Sequence, residues 1–177
     1  GRILRLHAER AGDTPFLLAD SGRYTYAQVN SLANRYASGL RALGVATGDR
    51  VLVFMHGCVE FVVLALAVNK LGAVWVPVNT DYKGDWLADA INDSKGVALA
   101  VDDALLPRLQ QVRDRVAFGH LLLHRSAPEQ VREAGAAATL ADLATHPDVE
   151  PDMSYQHYGD TAAVLWTSGT TGKSKGV

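Results

Sequence analysis

Hydrophobic residues between positions 25 and 44 recur at steps of three and four, the spacing of one face of an α-helix. The apolar positions are Val29, Leu32, Ala33, Tyr36, Ala37, Leu40 and Leu43. Thr25 and Gln28 have the spacing of a capping box at the start of this pattern, and Gly44 is suited to end it. The pattern therefore predicts an amphipathic helix between Thr25 and Gly44.

Short β-prone runs alternate with helical segments over most of the remaining chain. Residues 16–19 and 23–25 flank Asp20-Ser21-Gly22 and predict a hairpin. Later strands are predicted at 51–55, 73–78, 97–101, 121–123 and 162–166. Helices are predicted at 59–71, around 86–91 and at 105–112, with short pieces near 130 and 140 and then a loop at Pro147 and Pro151.

This alternation is typical of an α/β fold, in which helices cover both faces of a largely parallel sheet. We therefore expect that architecture, preceded by an N-terminal β-hairpin. Ligands in such folds bind at the carboxyl ends of the strands. The last predicted strand runs directly into a segment rich in glycine and hydroxyl residues, so we expect a ligand site there.

Composition excludes several classes of function. Lys and Arg number 17 against 19 Asp and Glu, which gives a net charge of −2 and no indication of a nucleic-acid partner. The longest apolar stretch, residues 61–68, is too short to cross a bilayer. Cys58 is the single cysteine, so no intrachain disulfide can form. These observations fit a cytoplasmic protein with small-molecule partners.

The segment from Thr167 to Gly176 has the composition of a phosphate-binding loop. Its glycines allow close approach of backbone N–H groups to an anion, and its lysines add positive charge. Its hydroxyl residues, which can donate to phosphate or coordinate magnesium, are Thr167, Ser168, Thr170, Thr171 and Ser174. A flexible surface loop has a similar composition, but the position after a predicted buried strand favours a ligand site.

One alternative is the P-loop of NTP-hydrolysing proteins, G-x-x-x-x-G-K-[ST]. Gly172-Lys173-Ser174 matches its second half, but Thr167 stands where its first glycine is required. A second alternative is a non-catalytic nucleotide-binding module that has retained the loop. Both alternatives stay open from the loop composition alone.

The order of residues in the loop is more specific. Thr167-Ser168-Gly169-Thr170-Thr171-Gly172-x-x-Lys175-Gly176-Val177 resembles the phosphate-loop signature of the adenylate-forming (AMP-dependent synthetase/ligase) superfamily. That superfamily includes acyl- and aryl-CoA synthetases, adenylation domains of peptide synthetases and beetle luciferases. Trp166 and Ser174 depart from the commonest residues at their positions, Tyr and Pro, without altering the glycine and hydroxyl pattern.

The resemblance extends upstream through most of the chain. Similar blocks begin at Tyr24-Thr25-Tyr26, at Gly44-Val45, at Asn69-Lys70-Leu71-Gly72-Ala73 and at Asp160-Thr161-Ala162. Asn79, where peptide-synthetase adenylation domains usually have Asp, resembles the CoA-ligase branch. The run from Thr80 to Asp85 is similar to acyl-CoA and carnitine-type CoA ligases, which implies a fatty or other acyl acid.

The resemblance implies a two-step reaction that uses ATP, Mg²⁺ and coenzyme A. A carboxylate attacks the α-phosphorus of ATP, and the thiol of CoA then attacks the acyl-adenylate. The ATP-contacting residues that it implies are Thr167, Ser168, Gly169, Thr170, Thr171, Gly172 and Lys175. Thr167 is also the implied magnesium ligand, and Lys173 occupies a variable position.

The catalytic residues that the superfamily uses would all follow Val177. We therefore expect residues 1–177 to be an incomplete N-terminal domain that contains no catalytic residue and has no ligase activity alone. An incomplete sheet would expose a strand edge, so we also expect some self-association.

Several other residues receive ordinary structural interpretations. His120 and His124 lie in a predicted strand without a third ligand at matching spacing, so we expect no metal site there. His56 and Cys58 are interpreted as packing at a strand end, with a pocket-lining role as the alternative. The remaining interpretations are core packing for Trp75 and Trp86 and a solvated helix end for residues 113–115.

Overall fold

The computed structural model describes residues 1–167 and the backbone of residues 175 and 176. The chain begins with helix α1 (Arg2–Ala11), which the sequence reasoning did not predict, and continues into the antiparallel hairpin of β1 (Pro15–Ala19) and β2 (Gly22–Thr25). Helix α1 is half apolar, with five apolar residues among its ten, but it buries only Leu4 among its own residues. The predicted hairpin is confirmed.

Helix α2 (Tyr26–Ala42) has the predicted N-terminal cap. The backbone N–H of Gln28 donates to Thr25 Oγ1 at 3.3 Å, and the N–H of Thr25 donates to Gln28 Oε1 at 2.9 Å. Gly44 follows the helix with φ of 89°, a left-handed conformation that glycine adopts without strain.

A five-stranded parallel sheet forms the centre of the fold, in the order β4-β3-β5-β6-β7. Its strands are β3 (Arg50–Phe54), β4 (Val74–Pro77), β5 (Ala98–Asp102), β6 (His120–His124) and β7 (Ala138–Thr139). The helices that follow α2 are α3 (Val59–Lys70), α4 (Gly84–Ser94), α5 (Leu106–Gln110), α6 (Pro128–Glu133) and α7 (Leu140–Leu143). Two 3₁₀ helices cover Asp103–Leu105 and Arg113–Arg115, and β8 (Trp166–Thr167) pairs with β9 (Lys175–Gly176).

Both faces of the sheet are covered, as the alternation of strands and helices predicted. Val51 and Val53 of β3 face a core shared with α2, α3 and α7, whereas Leu52 and Phe54 face a second core with α4 and α5. All four side chains are inaccessible to solvent. This burial on both faces explains why the strands are continuous apolar runs in the sequence.

The chain changes direction between β3 and β5. It moves outward from β3 to β4 and then crosses to the other side of β3 to form β5, after which β6 and β7 follow in order. A crevice forms outside the carboxyl ends of the strands where the order of an α/β sheet reverses in this way. Here the two strands that border it are β3 and β5.

The strands pack closely where β5 and β6 begin. A Cβ atom on Gly119 would lie 2.1 Å from the carbonyl oxygen of Val97, and the Gly119 N–H donates to the Gly96 carbonyl at 3.2 Å. Only glycine can therefore occupy position 119 without displacing the neighbouring backbone.

The two tryptophans assigned to the core behave differently. Trp75 is half-buried and makes an edge-to-face contact with Phe61, at 5.8 Å between ring centroids. Trp86 is 62% exposed, so its core assignment was wrong. Trp86 lies on the outer side of α4 and contacts the ring of Tyr82. The helical spacing of α4 did not reveal that this apolar side chain is exposed.

Arg113 to Arg115 are exposed, as expected. Arg113 lies over the ring of Phe118 at 4.6 Å, and Arg115 pairs with Asp85 at 2.6 Å. Within the part of the chain that is described, no helix has the combined length and apolar character needed to span a membrane.

Candidate functional site

The segment that leads into the predicted phosphate loop lies beside β4. Ala163 forms a parallel bridge with Trp75, where the Trp75 N–H donates to the Ala162 carbonyl and the Val164 N–H donates to the Trp75 carbonyl, both at 3.2 Å. Because this segment runs parallel to β4, it carries the chain toward the carboxyl ends of the strands. The predicted strand at 162–166 is thus reduced to one bridge and the two residues of β8.

The C-terminal end of α3 holds this segment through polar side chains. Asn69 Nδ2 donates to the carbonyl of Ala162 at 2.8 Å, and Gln156 Nε2 donates to the carbonyls of Asn69 and Lys70 at 3.1 Å each. The Tyr155 hydroxyl donates to the Leu71 carbonyl at 3.2 Å. The carbonyls at this helix end, which have no partner within the helix, are therefore used to position the chain before the loop.

A buried ion pair connects the same helix end to the loop at 147–151. The side chain of Lys70 is fully buried, and its Nζ lies 2.5 Å from Glu150 Oε1 and 2.9 Å from Asn30 Oδ1. Asn30 Nδ2 also donates to Glu150 Oε2 at 3.1 Å, so the three side chains form a closed network.

The pKa values of this network reflect opposing effects. Burial acts to raise the pKa of Glu150, but hydrogen bonds from Lys70 and Asn30 outweigh it and hold that pKa below its ordinary value. Burial lowers the pKa of Lys70, although Glu150 acts in the opposite direction. The close contact between opposite charges is what makes burial of Lys70 tolerable.

The residues predicted to bind ATP are only partly within the described structure. Thr167 is exposed at the end of β8, while Val164 and Trp166 pack against the core on the α4 side of the sheet. Lys175 contributes its backbone to β9, which pairs with β8. The predicted residues outside the described part are Ser168, Gly169, Thr170, Thr171 and Gly172, together with Lys173 and the side chain of Lys175.

A second group of polar residues lies at the carboxyl ends of β3, β5 and β6. His56 Nδ1 is 3.0 Å from Asp102 Oδ2, which also accepts from the His56 backbone N–H at 2.7 Å. Cys58 caps α3, with its Sγ accepting from the Phe61 N–H at 3.4 Å. His56 thus holds the end of β5 through Asp102, and Cys58 stabilises the start of α3. Cys58 also lines a cleft, which was the alternative interpretation.

Asp102 and Glu60 were missed as members of this group by the sequence reasoning. Asp102 is the last residue of β5, so its position at a strand end was a usable signal. Glu60 lies two residues after Cys58 in the first turn of α3, where a negative charge is favourable, and such a position by itself indicates helix stabilisation rather than a site.

Comparison with known proteins places the whole chain in one family. A family model described as "AMP-binding enzyme" matches residues 4–177. The chain is 34% identical over 155 residues to long-chain-fatty-acid–CoA ligase FadD13 of Mycobacterium tuberculosis, covering 88% of this chain and 29% of the relative. It is 31% identical over 167 residues to propionate–CoA ligase of Escherichia coli K12, covering 87% and 27%. The chain thus spans less than a third of the length of these curated relatives.

Solved structures share the fold. The anthranilate CoA ligase AuaEII, crystallised in complex with anthranoyl-AMP, matches with a TM-score of 0.90 and 25% identity, over 99% of this chain and 33% of that one. The inhibitor-bound N-terminal domain of FACL13 from Mycobacterium tuberculosis matches with a TM-score of 0.81 and 31% identity, over 99% and 42%. With the family model extending from residue 4 to residue 177, the chain belongs to the AMP-binding enzyme family.

Proposed function

We propose that this chain is the N-terminal part of an AMP-forming acid–CoA ligase. The enzyme would convert a carboxylic acid and ATP into an acyl-adenylate and pyrophosphate, and then transfer the acyl group to the thiol of CoA. The observation that carries the proposal is the family match across residues 4–177, which includes the complete loop signature. The P-loop NTPase alternative is not favoured, because the matching family is a different one.

In this proposal the loop acts by position and charge. Three kinds of group would hold the β- and γ-phosphates. They are the backbone N–H groups around Gly169 and Gly172, the hydroxyls of Thr167, Ser168, Thr170 and Thr171, and the ammonium group of Lys175. The loop would thereby stabilise pyrophosphate as it leaves. The attachment of residues 162–164 to β4 and Asn69 supports this role, since it fixes the chain just before the loop.

Magnesium would enter with ATP. Mg²⁺ usually keeps several waters and takes one or two protein oxygens in addition to phosphate oxygens. The exposed hydroxyl residue Thr167 fits that requirement as a single protein ligand. When bound, the ion would neutralise charge on the phosphates; the other ligands are expected from the phosphates and from solvent.

The acid is proposed to be a fatty or other acyl acid. The similarity of residues 80–85 to acyl and carnitine-type ligases supports this class, and relatives include ligases named for long-chain fatty acids, propionate and crotonobetaine/carnitine. Asn79 has a local structural role, because its Oδ1 accepts from the Asp81 N–H at 2.9 Å and shapes the turn after β4. An Asp side chain could accept the same bond, so the branch assignment rests on the resemblance and not on this contact.

The rest of the machinery is proposed to lie in sequence that follows residue 177 in the parent protein, which we expect in the cytoplasm. Residues 1–177 would form an incomplete domain without catalytic residues, inactive alone. Acid-dependent exchange between ATP and pyrophosphate, measured on a protein that contains this chain and the expected downstream domains, tests the first half-reaction. Formation of an acyl-CoA thioester tests the second.

Two lysines of the loop provide a matched comparison. Lys175→Ala is expected to lower the exchange rate by about 10²-fold, the usual effect of removing one group that stabilises developing charge. Lys173→Ala, at the variable position, is expected to stay within about threefold because only general charge is lost. Equal losses in both variants would contradict the assigned loop roles, and exchange without thioester formation would place the enzyme in another branch of the superfamily.

A further inference from the structure

Three side chains with metal-binding atoms meet where the order of the sheet reverses. Cys58 lies between β3 and α3, Glu60 lies in the first turn of α3, and His124 ends β6. Sequence spacing gave no sign of this group, since Cys58 and His124 are 66 positions apart. The fold brings them together because β3 and β6 are parallel strands that flank β5, so their carboxyl ends lie at one edge of the sheet.

The distances among the three ligand atoms suit one small cation. Cys58 Sγ lies 3.9 Å from His124 Nε2, which lies 3.8 Å from Glu60 Oε2, and all three atoms are within 4.8 Å of one another. Around a tetrahedral zinc ion, bond lengths of about 2.0 to 2.3 Å place neighbouring ligand atoms about 3.5 Å apart. Shifts of a few tenths of an ångström would therefore complete the geometry for the two measured pairs.

The surroundings give an ion both a route of entry and a balanced charge. Cys58 and Glu60 line a cleft between the β1–β2 hairpin and the start of α3, with Arg125 on its wall, while His124 is only 6% exposed. A thiolate and a carboxylate would together neutralise a divalent ion. Around the three ligands, Asp102 and Asp103 carry negative charge and Arg125 carries positive charge.

A buried oxygen at Asp102 is a second, independent indication. Asp102 pairs with His124 in the register of β5 and β6, so the two residues are neighbours at the same strand ends. Asp102 is 6% exposed, and its Oδ1 is buried without a hydrogen-bond partner among the described residues, although Oδ2 binds His56. Metal-bound histidines commonly lie beside a carboxylate that orients the ring, and an oxygen with spare capacity fits that position.

The structural role of Cys58 does not account for its thiol. Ser, Thr, Asp and Asn cap helices better than Cys, so capping of α3 alone would favour one of those residues. Zinc binds the deprotonated thiolate and the neutral imidazole, so binding would release the proton of the Cys58 thiol.

We propose that Cys58 Sγ, Glu60 carboxylate and His124 Nε2 form a zinc-binding site at the crevice between β3, β5 and β6. The combination of thiolate, imidazole and carboxylate is the ligand set that zinc prefers. Three protein ligands leave one tetrahedral position for water. The site is independent of the proposed ligase function and of the phosphate loop, which continues from the segment beside β4.

Cobalt and zinc titrations of the metal-free protein test the proposal. Co²⁺ is expected to bind with 1:1 stoichiometry, to give a thiolate-to-cobalt charge-transfer band together with tetrahedral ligand-field bands, and to be displaced by zinc. Cys58→Ser keeps a good helix cap while removing the thiolate, so it should fold normally yet lose the band and bind zinc at least about 100-fold more weakly. His124→Gln and Glu60→Gln each remove a direct ligand and are expected to weaken zinc binding by at least about 10- to 100-fold, the loss typical when a residue that only supports a metal ligand is changed.

Two histidines serve as controls. His120 is exposed at the other end of β6, about 13 Å along the strand from His124, so His120→Gln should leave zinc affinity unchanged. His56→Gln should also retain the charge-transfer band, since His56 is not a ligand. The proposal is overturned if no saturable binding occurs, if the band persists in Cys58→Ser, or if His120→Gln weakens binding as much as His124→Gln does. Thermal unfolding of each metal-free variant separates loss of the site from loss of the fold.

Discussion

The fully buried ammonium group of Lys70 depends on the carboxylate of Glu150 for its opposite charge. Glu150→Gln would leave that charge with only neutral partners, and breaking a buried pair in this way is expected to lower the free energy of unfolding by about 3 kcal/mol. The matched control is Glu129→Gln, which breaks the exposed pair with Arg132 and should cost less than about 0.5 kcal/mol. Urea unfolding measures both, and equal effects would contradict the assigned role of burial.

The same pair predicts how stability depends on pH. The folded-state pKa of Glu150 lies below its ordinary value of 4.5, so between these two values the unfolded state binds more protons than the folded state. The contribution of Glu150 is therefore fully present above pH 4.5 and is lost as the pH falls through the folded-state pKa. A shallower acid dependence in Glu150→Gln than in the wild type, measured by chemical unfolding at several pH values, is the expected result.

At the scale of single residues, sequence patterns predicted local roles better than distant contacts. The Thr25–Gln28 cap follows from two positions three apart, and the structure contains it. The contact between Lys70 and Glu150 joins positions 80 apart, and the Cys58–Glu60–His124 cluster depends on strand order, so neither leaves a local pattern. Trp86 is the converse case. Its helical spacing predicted a core position, but its side chain is exposed.

Among the elements, α2 depends on its N-terminal cap. Thr25→Ala removes the hydroxyl that accepts from the Gln28 N–H, which should lower the free energy of unfolding by about 1 kcal/mol. Thr25→Ser retains an accepting oxygen and is expected to lie within a few tenths of a kcal/mol of the wild type. Urea unfolding of the three proteins is the measurement, and a Ser variant as unstable as the Ala variant would show that the methyl group, not the cap, matters at this position.

Elements that bury many residues were predictable from the sequence, and elements that bury few residues were not. The central strands and α3 are apolar because the protein covers them on both sides, which makes them visible in the sequence. Helix α1 is half apolar but buries only Leu4, and β7 has only two half-buried residues, so neither carries a continuous apolar run. The segment 162–164 has strand-like residues but bridges β4 at a single position, which composition could not reveal.

Over the whole molecule, amide exchange should follow the position of each strand in the sheet. Strands β3 and β5 are hydrogen-bonded on both sides and are buried except at Arg50, so their amides at Leu52, Val53 and Ala100 are expected to open only by global unfolding. The amides of the two-stranded hairpin should exchange at least about 100-fold faster, because their opening exposes little apolar surface. Hydrogen exchange followed by NMR or mass spectrometry measures this order, and comparable protection of hairpin and central strands would contradict it.

The fold class and the location of the phosphate loop could both be predicted from the sequence, but for different reasons. Alternation of apolar strands and helices predicted the parallel sheet from physical patterning. The phosphate loop was identified by resemblance, and only Thr167 of its predicted contacts has a described side chain. Strand order came from neither source, because the crossing from β4 to β5 over β3 is decided by packing on the two faces of the sheet.

The attachment of residues 162–164 to the sheet has a thermodynamic consequence for the loop that follows. Two backbone hydrogen bonds to Trp75 and one from Asn69 are together worth about 3 kcal/mol. This contribution offsets part of the conformational entropy cost of ordering the segment, which is about 1 to 2 kcal/mol for each residue. A nucleotide would thus meet a loop whose entry is already anchored, so little of its binding energy would be spent on ordering that end of the chain.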